Sequence, residues 1–178
     1  NSDSQMILTS SNPVIGYISF WSDYFAVEEY DSSHQIRVVT NALYRDSNAW
    51  SHYVVSVDTT QSTASDRVKI YVNGSQVTSL LHSTYPTQNF ETDTNDAVIH
   101  YIGCQTANTN FYHGYLSEFC FIDGQQLTPS SFGATDPVSG IWCPKAISTT
   151  ALTFGTNGFY LDFADSSALG DDESGNGN

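Results

Sequence analysis

The chain of 178 residues predicts an all-β fold, an antiparallel β-sandwich or barrel. Three observations carry this reading. Apolar residues recur with period two in short segments, with no sustained run at i, i+3, i+4 and i+7. Those segments are bounded by clusters of Asn, Asp, Gly and Ser without helices between them, the antiparallel rather than the βαβ pattern. Two dipeptides, Asn73-Gly74 and Asp123-Gly124, stand at strand ends, where a type I′ turn needs residues that tolerate positive φ.

The strands follow in order. Gly16 to Trp21 is a run of β-formers, and Gln35 to Val39 is a second. Trp50 to Val57 comes next, with Trp50 and His52 on one face and expected to pack sheet against sheet. Arg67 to Val72 places Val68, Ile70 and Val72 on one face; Arg67 and Lys69 have Asp66 and Asp58 as candidate ion-pair partners. Asn73-Gly74 closes this segment into a hairpin. Ala97 to Cys104 and Tyr112 to Ile122 alternate in the same way, and both of their faces are apolar or aromatic, as in covered central strands. Leu127-Thr-Pro-Ser reads as a capped helical turn before Phe132-Gly133. Residues 134–157 form a connecting segment. Residues 158–163 add a strand with Phe159, Leu161 and Phe163 on one face, and a polar acidic loop follows. The expected domains are a sandwich over 1–157 and a strand plus loop over 158–178, the latter an edge strand of the same domain or the start of another. Without an initiator Met, and ending on Gly175-Asn-Gly-Asn178, the chain reads as a piece of a longer polypeptide.

Charge narrows the function. The formal net charge is −14, from 19 acidic residues against 5 Lys and Arg. Five dispersed cations cannot form the phosphate-neutralising patch that nucleic acid or an anionic membrane surface demands. No apolar run approaches the roughly 20 residues of a membrane-spanning helix. Ser, Thr, Asn and Gln, 62 residues in all, supply the solubility instead. Cys104, Cys120 and Cys143 are odd in number and lack metal-ligand spacing, which predicts free thiols and folding in a reducing compartment.

The segments Arg45-Asp-Ser-Asn-Ala-Trp50-Ser-His52 and Asp66-Arg-Val-Lys-Ile-Tyr-Val-Asn-Gly74 resemble the concanavalin A-like, laminin-G-type lectin/glucanase domains, in the variant found in structural proteins of tailed bacteriophages. Phe111 to Leu127, Ser131-Phe-Gly133, Gly140 to Lys145 and Asn157 to Asn178 extend the likeness over about three quarters of the chain. The resemblance narrows the fold to an antiparallel β-sandwich (jelly roll) of concanavalin A-like type and implies a place on a virion surface after folding in a host cytoplasm. Its implied partners are other virion proteins, copies of itself and host surface polysaccharide.

Catalysis is not expected. The glucanases of this fold use Glu-x-Asp-x-x-Glu on a strand; the nearest echo, Glu91-Thr-Asp93-Thr-Asn-Asp96, ends in Asp and lies in a polar loop. Glu118 stands alone among apolar residues, and no Gly-x-Ser-x-Gly elbow exists. The resemblance also implies Ca²⁺ as a candidate cofactor. Asp162, Asp165, Asp171 and Asp172 are the candidate ligands, a solvated acidic loop being the alternative reading, and Asp58 with Asp66 is a second candidate pair. For carbohydrate the candidates are Tyr85, Asn110, Tyr112, His113 and Tyr115, with Asn108, Asp93 and Asp96 close by in sequence. Exposed Tyr serves glycan contact, subunit contact and plain packing alike. The rival to glycan binding is a purely structural module that stabilises the particle; a polysaccharide depolymerase would require paired carboxylates.

Overall fold

The structure, a computed structural model, describes residues 4–11, 15–96, 98–106 and 109–178. Its contacts divide the chain into two compact units, Asn1–Gly114 and Tyr115–Asn178. The fold is all-β with antiparallel pairing throughout.

The first unit holds β1 (Ser4–Ser11), β2 (Ile15–Trp21), β3 (Tyr24–Asp31), β4 (Ser33–Leu43), β5 (Tyr53–Val57), β6 (Val68–Val72), β7 (Ser75–Gln76), β8 (Leu80–Thr84) and β9 (Ile99–Ile102). Six of them form one sheet in the order β8-β4-β3-β2-β1-β9, and β5-β6-β7 form a second. The inner face of the large sheet follows from register: Phe20 pairs with Phe25, Ile18 with Val27, and Leu8 with Ile18. Tyr53 of the small sheet stacks on Phe25 at 4.5 Å and meets Phe20 edge-on at 5.6 Å. Phe25, Leu8, Val38, Val68 and Ile70 are almost fully buried there. Each such side chain contributes roughly 1.5–3 kcal/mol by leaving water.

The turns explain the pairing. Asn73 and Gly74 both have positive φ, 48° and 79°, and join β6 to β7 as a two-residue hairpin. Ser22 and Asp23 do the same between β2 and β3, with φ 49° and 71°. Arg67 is buried and acts differently from the ion pair expected of it. Its guanidinium donates to the carbonyls of Gln61, Ser62 and Pro86, stapling the loop before β6 to the segment after β8. Lys69 does pair with Asp66, at 3.0 Å. Trp50 is 71% exposed and precedes β5, so it does not pack the sheets together; Tyr53 does.

The second unit holds β10 (Phe119–Phe121), β11 (Gly133–Thr135), β12 (Trp142–Pro144) and β13 (Phe159–Leu161). β10 pairs with β13 and β11 with β12. The strand expected over 158–163 is present as β13, which finds its hydrogen bonds on 119–121. The strand expected over Tyr112 to Ile122 shortens to three residues: Glu118 has φ 58°, a conformation that breaks the ladder, and its carboxylate accepts the Tyr160 hydroxyl. Asp123-Gly124 makes no hairpin. Instead Asp123 donates its N–H to the Phe154 carbonyl and accepts from Asn157. A Cβ at Gly158 would overlap that same Phe154 carbonyl, which leaves glycine as the residue the position accommodates. The turn before Phe132 is present as a single 3-10 turn, Pro129–Ser131.

Candidate functional site

The outward face of the six-stranded sheet carries a connected set of polar and aromatic side chains. Register lines up Tyr101, Thr9, Tyr17, Glu28, Arg37 and Thr84, one residue from each strand, in a row across the whole sheet. At its centre the Arg37 Nε donates to Glu28 Oε1 at 2.9 Å, and His34 Nε2 lies 3.4 Å from the same oxygen. Tyr17 is hydrogen-bonded to Glu28; burial, then the Glu28 charge, push its phenol up to about 12. Glu28 is thus held almost buried yet fully engaged, with Arg37 and His34 half-exposed above it.

Beside this row stands the Trp21 indole. It starts on β2 and reaches to within 6.2 Å of the His82 ring on β8, crossing the strands between. Ala26 and Val39, in register between Ser19 and His82, have no exposed surface. Tyr24 flanks the indole at 6.1 Å, and the Arg37 guanidinium sits 5.3 Å from its centroid, a cation–π contact. The result is a half-exposed aromatic platform edged by fixed donors and an acceptor. An apolar ring face with a few convergent polar groups is what a small polar ligand with one apolar side requires.

The residues expected from sequence lie elsewhere. Asn110, Tyr112 and His113 come together beside β1. The Asn110 carbonyl accepts the Met6 N–H, His113 donates its N–H to Gln5 Oε1, and Tyr112 stacks on Phe20. Tyr112 is therefore a packing residue, its phenol raised by burial. Tyr85 follows β8, at the opposite edge of the sheet, so the structure does not join it to the 110–113 segment. Tyr115 opens the second unit and is 85% exposed. Asn108 lies outside the described residues.

The four candidate calcium carboxylates are not brought to one point. Asp162 accepts the Ala164 N–H, and Asp165 accepts from Ser167. Asp171 is exposed. Asp172 is saturated by protein donors: Tyr160 and Ser174 N–H on Oδ1, and Ser174 Oγ, Gly177 and Asn178 on Oδ2. These bonds outweigh its burial and hold its carboxyl at about 2. Asp58 is turned to Thr60 and Gln61, and Asp66 to Lys69. Among the described residues no group of three or more His, Cys, Asp or Glu side chains is placed to hold a metal. A surface depression of the second unit, about 470 Å³ around Leu152 to Thr156, is lined by no charged side chain.

What sequence reading missed is the outward face. Its signal was present as alternation: Tyr17, Ser19 and Trp21 on one strand, Tyr24, Ala26 and Glu28 on the next. It becomes visible once the Ser22-Asp23 hairpin sets the register.

A family model describing the concanavalin A-like lectin/glucanases superfamily matches residues 1–131. The chain belongs to this superfamily. The match covers all of the first unit and reaches into the second, and it makes carbohydrate the general ligand class for a concanavalin A-like domain. No curated protein and no solved structure matches the chain.

Proposed function

We propose that this concanavalin A-like domain is a non-catalytic carbohydrate-binding module of a tailed-bacteriophage virion, part of a tail fibre, appendage or capsid decoration that engages host surface polysaccharide. The observation that carries the binding reading is the Trp21 platform with the Arg37–Glu28 pair at its edge. Trp21 would stack on the apolar face of a sugar ring, with His34 and Arg37 donating to hydroxyls while Glu28 holds both in position. The virion setting rests on the resemblance of the quoted sequence segments to phage structural proteins and on the abundance of Ser, Thr, Asn and Gln. No covalent chemistry is assigned, since Glu28 is committed to Arg37, His34 and Tyr17 rather than paired across a groove with a second carboxylate. Partners in this reading are copies of the chain and neighbouring virion proteins, with neither nucleic acid nor membrane insertion. Among the described residues no helix is long and apolar enough to cross a membrane. Single sites of millimolar affinity, about −4 kcal/mol, become effective when many copies bind one surface.

The test is a glycan array probed with the multivalently displayed chain and with its Trp21→Ala variant. Selective binding lost in the variant supports the reading. Binding unaffected by Trp21→Ala moves the site elsewhere, and no binding at high density leaves the assembly reading. That second reading is favoured by Val138 and Ile141, 94% and 63% exposed on the turn between β11 and β12, which suit contact with another protein.

A further inference from the structure

The chain between β8 and β9 joins the two opposite edges of the six-stranded sheet, so residues 85–96 form a strap that has to cross it. Residues 86–89 are tied to the loop before β6. Arg67 donates to the Pro86 carbonyl, Gln88 Nε2 to the Thr60 carbonyl and the Asn89 N–H to the Thr59 carbonyl. The 3-10 turn that follows, Asp93–Asn95, is pressed onto β1 and β2. Thr94 Oγ1 and Ser10 Oγ come within 2.6 and 2.7 Å of where a Cβ on Gly16 would stand. Residues of β3 and β9 anchor the turn: the Asp93 N–H donates to Glu29 Oε1 at 3.3 Å, and His100 Nε2 lies 3.0 Å from the Thr94 carbonyl oxygen.

Both anchors depend on a proton. Glu29 lies on the inner face of the sheet, in register with Gly16 and Ile36, and only 2% of it is exposed. Among the described residues its Oε2 has no hydrogen-bond partner, and neither has the buried Oδ2 of Asp93. Gly16 and Ile36 bring no charge, while Asp96 beside the turn and Asp31 at the end of β3 add only negative charge around Asp93. Among the described residues no Lys or Arg pairs with Glu29 or Asp93, since Arg37, Arg45 and Lys69 are bound to Glu28, Asp23 and Asp66 and Arg67 to carbonyls. A buried carboxyl with an unmet oxygen and no cation favours its neutral form, and burial is the largest influence on Glu29. His100 has both ring nitrogens on carbonyl oxygens, Nδ1 2.9 Å from Val98 and Nε2 3.0 Å from Thr94. A neutral ring carries one N–H and serves one of them; the imidazolium serves both. We infer that the 93–95 turn is a proton-operated latch, closed on the sheet while Glu29 and His100 carry their protons and released when they give them up to solvent. Release needs no strand to move, because 86–89 stay tied to the loop before β6 and β9 stays paired with β1. It brings water to Glu29 and Ser10, both otherwise sealed.

The experiment is amide hydrogen exchange of the full chain, followed residue by residue by NMR from pH 5 to pH 8, with the intrinsic pH dependence of exchange divided out. The N–H groups of Asp93, Asn95 and Asp96 report on the latch, since they donate to Glu29, Thr92 and Asp93. Their protection should fall at least about tenfold between pH 5 and pH 8, because the closed state holds the Glu29 proton to a higher pH than the open one. At each pH they should exchange at least about tenfold faster than the core amides of β2 and β3, as a local opening requires. Glu29→Gln keeps the side chain's shape with no proton to lose and no buried charge to form, so it should fold. In it the fall should shrink by at least about threefold, to the part carried by His100. Constant protection across this pH range overturns the latch. So does exchange as slow as that of the core amides, which would tie release to global unfolding, and so does an undiminished fall in Glu29→Gln.

Discussion

The rings of Phe25 and Tyr53 lie 4.5 Å apart and nearly parallel, one from each sheet. This contact joins the two layers of the first unit, and Phe20 and Tyr44 close around it edge-on. Phe25→Ala should therefore cost about 3–5 kcal/mol, the range for an emptied aromatic site that cannot collapse. Urea unfolding would show it as a lower midpoint at unchanged slope.

Arg67 is the second structural prediction. Arg67→Lys keeps the charge but cannot reach the carbonyls of Gln61, Ser62 and Pro86 together, because those bonds use three separate guanidinium nitrogens. A loss of about 2–3 kcal/mol is expected from the unmet buried carbonyls. Hydrogen exchange should speed up first in residues 59–67 and 85–90. A lysine variant as stable as the parent would show that the staple is dispensable.

Acid should release the C-terminal loop late. Asp172 is held at about 2 by hydrogen bonds to its charged form. Its stabilising contribution is present above the ordinary carboxylate pKa, near 3.9, and is lost as pH falls through about 2. The amide signals of Ser174, Gly177 and Asn178 should stay in place from pH 7 to about 4 and shift together below that. Asp172→Asn should free Gly177 and Asn178 already at neutral pH.

Glu29 behaves in the opposite direction. Burial, with the Asp93 charge adding and the Asp93 N–H opposing, pushes its carboxyl up to about 7. A raised folded-state value means that the associated stability is present below about 4.5 and declines as pH rises through 7. The parent chain should lose stability between pH 5 and pH 8, whereas Glu29→Gln should lose much less. Equal pH profiles for the two proteins would contradict the burial of this charge.

On the outward face, Arg37→Ala leaves Glu28 nearly buried with one partner fewer. A loss of about 2 kcal/mol is expected, less than the 3–5 for fully buried pairs because Arg37 is partly solvated. Glu28→Gln with Arg37→Ala should restore part of it. Binding to glycan should fail in both variants, which separates the role in recognition from the role in stability.

Much of the fold was legible because alternation and the Asn73-Gly74 turn speak directly of strands and hairpins. β1 and β3 were not. Met6, Ile7 and Leu8 run together at a bulge, so period two breaks where register shifts between Met6 and Leu8. Ser22-Asp23 turns like Asn-Gly while lacking its glycine, hiding β3 from inspection. The candidate site suffered the same way: Trp21, Glu28 and Arg37 come from three strands, and no local spacing links them. The acidic loop drew notice by composition, yet Asp172 spends both oxygens on the chain's own N–H and O–H groups. Glu29 and Asp93, 64 residues apart, carry no such local signal.

All five cations of the chain are already occupied. Arg37, Arg45 and Lys69 sit in ion pairs, Arg67 is buried among carbonyls, and Lys145 donates to the Ser130 carbonyl. The excess of 14 negative charges thus reaches solvent with little local relief. Encounter with any polyanion, an acidic capsule included, is slowed by mutual repulsion at low ionic strength and eased as salt shortens the range of that field, to about 10 Å at 0.1 M. Any encounter with a polyanion therefore has a salt dependence opposite to that of a protein that binds through exposed lysines.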